Sequence, residues 1–203
     1  MLIYRAEMYI LMKYPFLLDL NTKNLALSCD DKSQFFVIKS FSEEDVHKAI
    51  KYNVWTSTKS GNQTLNNAFK LTQEKDGYVY LFFSCNGSGR FVGLARMKTE
   101  VNFEQFFPFW TQDNKWGGLF GIEWLFIKDV LFNQFNDIQI MMRDGQRKPV
   151  TNSRDTQEVP AEDAVKMFDI IKNYVNSNTI LEHFEYYDIR QENYENNGVT
   201  KAI

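Results

Sequence analysis

Cysteine and histidine are nearly absent from this chain, at two each in 203 residues. Cys29 and Cys85 lie too far apart for a Cys-x-x-Cys site and are too few for a disulfide framework. With only His47 and His183 beside them, little remains from which to build a zinc site, and no cofactor is expected. Long apolar runs are missing too. The densest one near the N-terminus, Met8 to Met12, is interrupted by Lys13 and Pro15 before it reaches membrane-spanning length. No cleavage-site pattern follows it, so no membrane partner is expected and an intracellular, reducing location is the simplest reading. Strong net charge is also lacking, at −3, which taken alone argues against nucleic acid. That average conceals a split: the first 154 residues carry 19 basic and 16 acidic side chains, and Asp155 onward carries 4 and 10. A basic region followed by a solvated acidic end fits a binder, although many non-binders share the pattern.

Aromatic residues are abundant, at 16% with 18 Phe. At 203 residues the chain is long enough for one domain with a real core. Cys85 sits beside an apolar run and reads as a buried thiol. Residues 1–32 read as a separate N-terminal extension, because Asn21 to Asn24 and Ser28 to Lys32 are polar and turn-like. The mostly apolar run Gln34 to Lys39 predicts a buried strand. Ser42, followed by Glu43, Glu44 and Asp45, predicts an N-cap and a helix to about Tyr52. Gln63 to Glu74 predicts a second helix. Gly77 to Ser84 and Arg90 to Met97 predict two strands joined by a turn at Asn86 to Gly89. Gly121 to Val130 and Ile138 to Met142 are further strands. Pro160 predicts a helix start at the first turn, with Val165, Phe168 and Ile171 inward. Thr179 to Tyr187 reads as a shorter helix, and the acidic tail from Gln191 as flexible. Strands interleaved with helices give an α/β domain with a mixed, curved sheet.

Few groups suggest catalysis. Gly87, Gly89 and Gly93 lack the spacing of a dinucleotide loop, and a strand rather than a helix follows them. His47 and His183 read as solvated surface groups with no nucleophile pattern nearby. The tryptophans are more informative. Trp110 and Trp116 flank a polar loop, Thr111 to Lys115, and Trp55 stands in Val54-Trp55-Thr56-Ser57. A large ring in a polar loop suggests a waiting flat ligand, a nucleobase. Trp124, inside a strand pattern, belongs to the core, while Trp55 alone is open to either reading. Arg143, Arg147, Lys148 and Arg154 form either a solvated loop or a phosphate track.

Several ordered motifs then resemble one family. Phe36-Val37-Ile38-Lys39-Ser40-Phe41-Ser42-Glu43-Glu44-Asp45-Val46-His47 and Ile50-Lys51-Tyr52-Asn53-Val54-Trp55 look like the opening of a YTH domain. So do Phe83 to Gly93, the Trp110–Trp116 loop and Lys148 to Pro160. The resemblance covers about Ser33 to Arg190 and is closest to the cytoplasmic, DF-like branch. It implies an α/β YTH fold, with a barrel-like mixed β-sheet surrounded by α-helices. It also implies a reader of N6-methyladenosine in single-stranded RNA, with mRNA as partner, rather than an enzyme. The matched positions make Trp55, Trp110 and Trp116 an aromatic cage. Asp45 then faces the adenine edge, Thr56 follows the first cage ring where a main-chain carbonyl accepts the methylamine N–H, and Phe41 stands where the family often has Tyr. Lys39 and Arg154 match phosphate-holding residues, with Ser40 and Lys148 as further backbone contacts. The Trp110–Trp116 loop is one residue longer than in near relatives. A sequence-blind single-strand binder and a peptide-binding module remain the other two classes.

Overall fold

The computed structural model describes residues 8–10, 12–17, 20–22, 25–27, 29–112, 115–175 and 179–196. In chain order the elements are β1 (Gln34–Ser40), α1 (Glu43–Tyr52), β2 (Val54–Trp55), α2 (Lys59–Gln73), β3 (Val79–Cys85), β4 (Arg90–Met97) and β5 (Phe120–Leu131). They continue as β6 (Gln139–Met141), β7 (Arg147–Pro149), β8 (Gln157–Val159), α3 (Ala161–Asn173) and α4 (Phe184–Asn196).

Six strands form one curled, barrel-like sheet in the order β2-β5-β4-β3-β1-β8, and β6 pairs with β7 apart from it. β1 runs parallel to β3, and the remaining pairs are antiparallel. The parallel pair explains the unbroken apolar runs in β1 and β3, since both faces are covered. Phe36, Ile38, Leu81 and Phe83 point to one core, which includes Trp55, Trp110 and Trp124. Phe35, Val37, Tyr80 and Phe82 point to the other, against Met167 and Phe168 of α3. Gly93 sits where β4 crosses β5: a Cβ there would lie 2.4 Å from the Phe126 carbonyl oxygen. The register shifts beside it bend the sheet.

Ser42 caps α1, its Oγ accepting the Asp45 N–H at 3.1 Å. The turn between β3 and β4 has positive φ at Gly87 and Gly89, as the sequence predicts. Trp124 and Cys85 are core residues, and Trp124 Nε1 donates to the Ala49 carbonyl at 3.2 Å.

The differences have local causes. α2 begins at Lys59, four residues before the predicted start, because Thr58 caps it and Gly61 and Asn62 in its first turn disguise a helix as a loop. β2, β7 and β8 are two or three residues long, too short for a periodic signal. Pro160 is the N-cap of α3 rather than a first-turn residue, and the buried face is Ala164, Met167, Phe168 and Ile171, with Val165 beside it half-buried. His47 is not a surface group: it is 1% exposed, packed against Phe184 at 4.2 Å, and burial pulls its imidazole down to about 3. The described residues between 8 and 22 are not detached either, since Ile10, Leu17 and Leu20 are core residues. α4 continues through Asn196, with Gln191 buried, so the region read as a flexible tail starts as helix, and residues 197–203 lie outside the described residues.

Candidate functional site

Trp55, Trp110 and Trp116 line one pocket, which also takes in Phe41, Asp45 and Thr56. Trp55 ends β2 and meets Phe83 edge-on at 5.0 Å. Trp110 meets Trp55 at 5.4 Å with planes 74° apart, and Phe107 backs it at 4.7 Å. Both rings are more than nine-tenths buried, yet neither indole N–H has a hydrogen-bond partner. Trp116 is only half-buried. The pocket is about 20 Å³, room for one water rather than a base.

Three polar side chains, Asp45 and Asn62 buried and Asp155 half-buried, assemble this pocket. Asp45 accepts the Thr111 N–H at 2.8 Å and the Thr111 hydroxyl at 2.6 Å, pinning the Trp110 loop to the start of α1. Asn62, fully buried in α2, accepts the Ser57 N–H at 2.8 Å and donates to the Gly117 carbonyl at 2.7 Å. One amide therefore spans the segments after Trp55 and after Trp116. Asp155 accepts the Lys39 main-chain N–H at 2.9 Å and the Ser57 hydroxyl at 2.5 Å. Burial pushes its carboxyl upward. Gly61 makes room for that contact, because a Cβ there would fall 2.1 Å from Ser57 Oγ.

The remaining expected residues divide. Thr56 is buried, and its hydroxyl accepts from Asn62 at 3.2 Å. Phe41 is 53% exposed, and the Lys115 ammonium lies 5.0 Å from its ring and 4.7 Å from that of Trp116. Lys39 is among the residues that line the pocket, but its ammonium turns away from the three indoles. Strand alternation carries it over the Phe132 ring at 4.6 Å and to the Thr151 carbonyl at 3.3 Å. Burial lowers it to about 8. Ser40 is buried, donating to the Ser42 carbonyl at 2.7 Å. Lys148 pairs with Asp144 at 2.5 Å. Arg154 is exposed.

Residues 33–172 match the YT521-B-like domain, YTH. The chain belongs to the YTH family. This YTH domain is 48% identical over 160 residues to YTH domain-containing family protein 1 of Mus musculus, and 47% identical over 160 to family protein 2 of Homo sapiens. Those alignments cover 79% of this chain; the chain spans only 28% and 27% of the relatives' lengths. Among solved structures it is similar to the YTH domain of Zygosaccharomyces rouxii MRB1 in complex with N6-methyladenosine RNA, at 34% identity and a TM-score of 0.64, covering 72% of this chain and 91% of that one. It is also similar to the Pho92 YTH domain in complex with m6A, at 32% and 0.66, covering 73% and 91%.

Sequence reasoning missed Asn62, Thr111 and Asp155 as builders of the YTH pocket. Each is an ordinary polar residue in a turn or first helical turn. The signal was that Thr111 and Asp155 lie inside segments that resemble the family; Asn62 lies in none of them.

Proposed function

We propose that the protein binds single-stranded RNA carrying N6-methyladenosine, by enclosing the extruded base between Trp55, Trp110 and Trp116. The observation that carries this reading is the convergence of three indoles, from β2 and one loop, on a single pocket. The two solved YTH domains described above, each holding the methylated adenosine, support it. The site is a binding module rather than an active centre, and methylated mRNA in the cytoplasm is its expected partner. Among the described residues no helix is long and apolar enough to cross a membrane.

Aromatic stacking on a base is worth about 1–3 kcal/mol and needs no charge on the ligand. Burying the extra methyl adds about 0.8 kcal/mol, and more if the plain base leaves a void between the rings. The pocket is too small for a base as it stands, so one wall moves. Trp116, half-buried at the edge of the core with the Lys115 ammonium over its ring, is that wall; Trp55 is fixed by strand pairing. An extruded base comes most cheaply from an unpaired strand.

The test is a paired titration with methylated and unmethylated oligonucleotides of one sequence. Tighter binding of the methylated strand is expected. Equal affinity would make the protein a sequence-blind single-strand binder, and no RNA affinity would leave a peptide-binding groove.

A further inference from the structure

Trp110 has a second hollow on its other side. It measures about 150 Å³, larger than the cage pocket, and α4 forms one flank of it. α4 lies beyond residues 33–172, the part that matches the family. Its floor is the largely buried ion pair of Lys48 with Glu44, at 2.9 Å. Phe109 and Trp110 line it from the cage loop and Tyr194 from α4. Arg190 lies at the rim, 45% exposed, 5.8 Å from the Tyr194 ring centre and within 3.3 Å of its hydroxyl.

One further observation points to a ligand. Gln191, 1% exposed, lines this hollow, and its Oε1 has no hydrogen-bond partner. Its amide nitrogen donates to the Tyr52 hydroxyl at 2.7 Å and to Glu195 at 3.2 Å, which fixes which end is oxygen. A buried acceptor left this way is costly unless a donor arrives from outside.

We infer that this hollow is a second nucleotide subsite, holding the base next to the methylated adenosine of the same RNA strand. The inference rests on the cage reading, and the shared Trp110 wall is what links the two. A flat heterocycle finds rings from the cage loop and from α4, an N–H of its edge meets the orphan carbonyl of Gln191, and the sugar-phosphate passes Arg190 at the rim. Single-stranded RNA is commonly held by this combination of stacking rings with a cation.

The experiment titrates three ligands against the whole chain, Tyr194→Ala and Arg190→Ala. The ligands are a seven-nucleotide RNA with one central N6-methyladenosine, its unmethylated counterpart, and free N6-methyladenosine nucleoside. Both replaced side chains are about half exposed, and thermal melts verify folding. Both variants should weaken both RNAs, Tyr194→Ala by about tenfold, while nucleoside affinity stays at the wild-type value. Wild-type affinity for the seven-nucleotide RNA in both variants would overturn the subsite and assign the hollow to something other than RNA, leaving the cage intact. Parallel loss of nucleoside and RNA would overturn it too, since α4 would then merely shape the cage. Absence of nucleoside and RNA binding in the wild type would remove the cage reading and the subsite together.

Discussion

The Asp45 carboxylate and Thr111 are joined twice, through the Thr111 N–H at 2.8 Å and its hydroxyl at 2.6 Å. Ser42 adds a third donor at 3.0 Å. The family resemblance implies a place for Asp45 at the edge of a bound base; its oxygens already hold the loop that carries Trp110. The two roles predict different mutants.

Asp45→Asn keeps a carbonyl for the Thr111 N–H, and one hydrogen of its NH2 can donate to the Thr111 hydroxyl while the other stays free for a base. It should bind methylated RNA as well as wild type or better, because a base edge rich in ring-nitrogen acceptors gains a donor. Asp45→Ala leaves the Thr111 N–H without its partner at a cost of about 1–3 kcal/mol. The loop should loosen and affinity for methylated RNA fall by about tenfold or more. Titration of the two variants checks this, and a large loss in Asp45→Asn would show that the charge is required.

The cage rings should not behave alike on truncation. Trp55 and Trp110 are core residues packed on Phe83 and Phe107. Their replacement by Ala should cost about 3–5 kcal/mol. That lowers the melting temperature by roughly 10 °C for a domain of this size. Trp116 is half-buried, so Trp116→Ala should leave the melt nearly unchanged while abolishing the preference for methylated RNA. Discrimination retained in Trp116→Ala would remove that ring from the cage.

How far the sequence reveals this protein depends on the length of each pattern. β1, β4, α1 and the glycine turn between β3 and β4 follow from strong local signals, and Trp124 from its place in a strand. Trp55 is indeterminate because β2 is two residues long and pairs only with distant Phe120 and Gly121. His47 misleads because its neighbours Glu44, Lys48 and Lys51 are charged, while Phe184, 137 positions on, is what buries it. That Trp55, Trp110 and Trp116 share one pocket is legible through family resemblance and loop chemistry. Their supports, Asn62 and Asp155, act through contacts that no spacing encodes.

The same limit hides the N-terminal segment. Asp188 of α4, with no exposed side-chain surface, accepts from Lys13 at 2.7 Å, Tyr9 at 2.5 Å, Tyr14 at 2.9 Å and Lys51. Burial alone would raise its carboxyl, but these four donors outweigh burial and hold it well below the usual carboxylate range. A depressed folded value means stability that is present above the unfolded pKa, about 3.9, and is lost as pH falls below it. Asp188→Ala strands Lys51 and should cost about 3–5 kcal/mol at neutral pH. Its stability should also fall less on acidification than the wild type's. Deletion of residues 1–32 should lower the melt as well; an unchanged melting temperature would mean the segment is a passive extension.

Arg154 and Lys39 both resemble phosphate-holding residues, but their surroundings separate them. Arg154 is exposed, so Arg154→Ala should weaken methylated and plain RNA equally and reduce the slope of log affinity against log salt by about 0.7, the value for one contact on a single strand. Selective loss for the methylated strand would contradict a phosphate role. The Lys39 side chain is half-buried, with its ammonium over Phe132 and against the Thr151 carbonyl. Lys39→Met should therefore leave the salt slope alone and change the response to pH. The folded protein releases this proton at about 8, whereas the unfolded chain keeps it until about 10.4. Between those values the unfolded state binds more protons, so wild-type stability gains with rising pH relative to Lys39→Met. Parallel stability curves for the two proteins between pH 7 and 10 would place the ammonium in water, free to reach a phosphate after all.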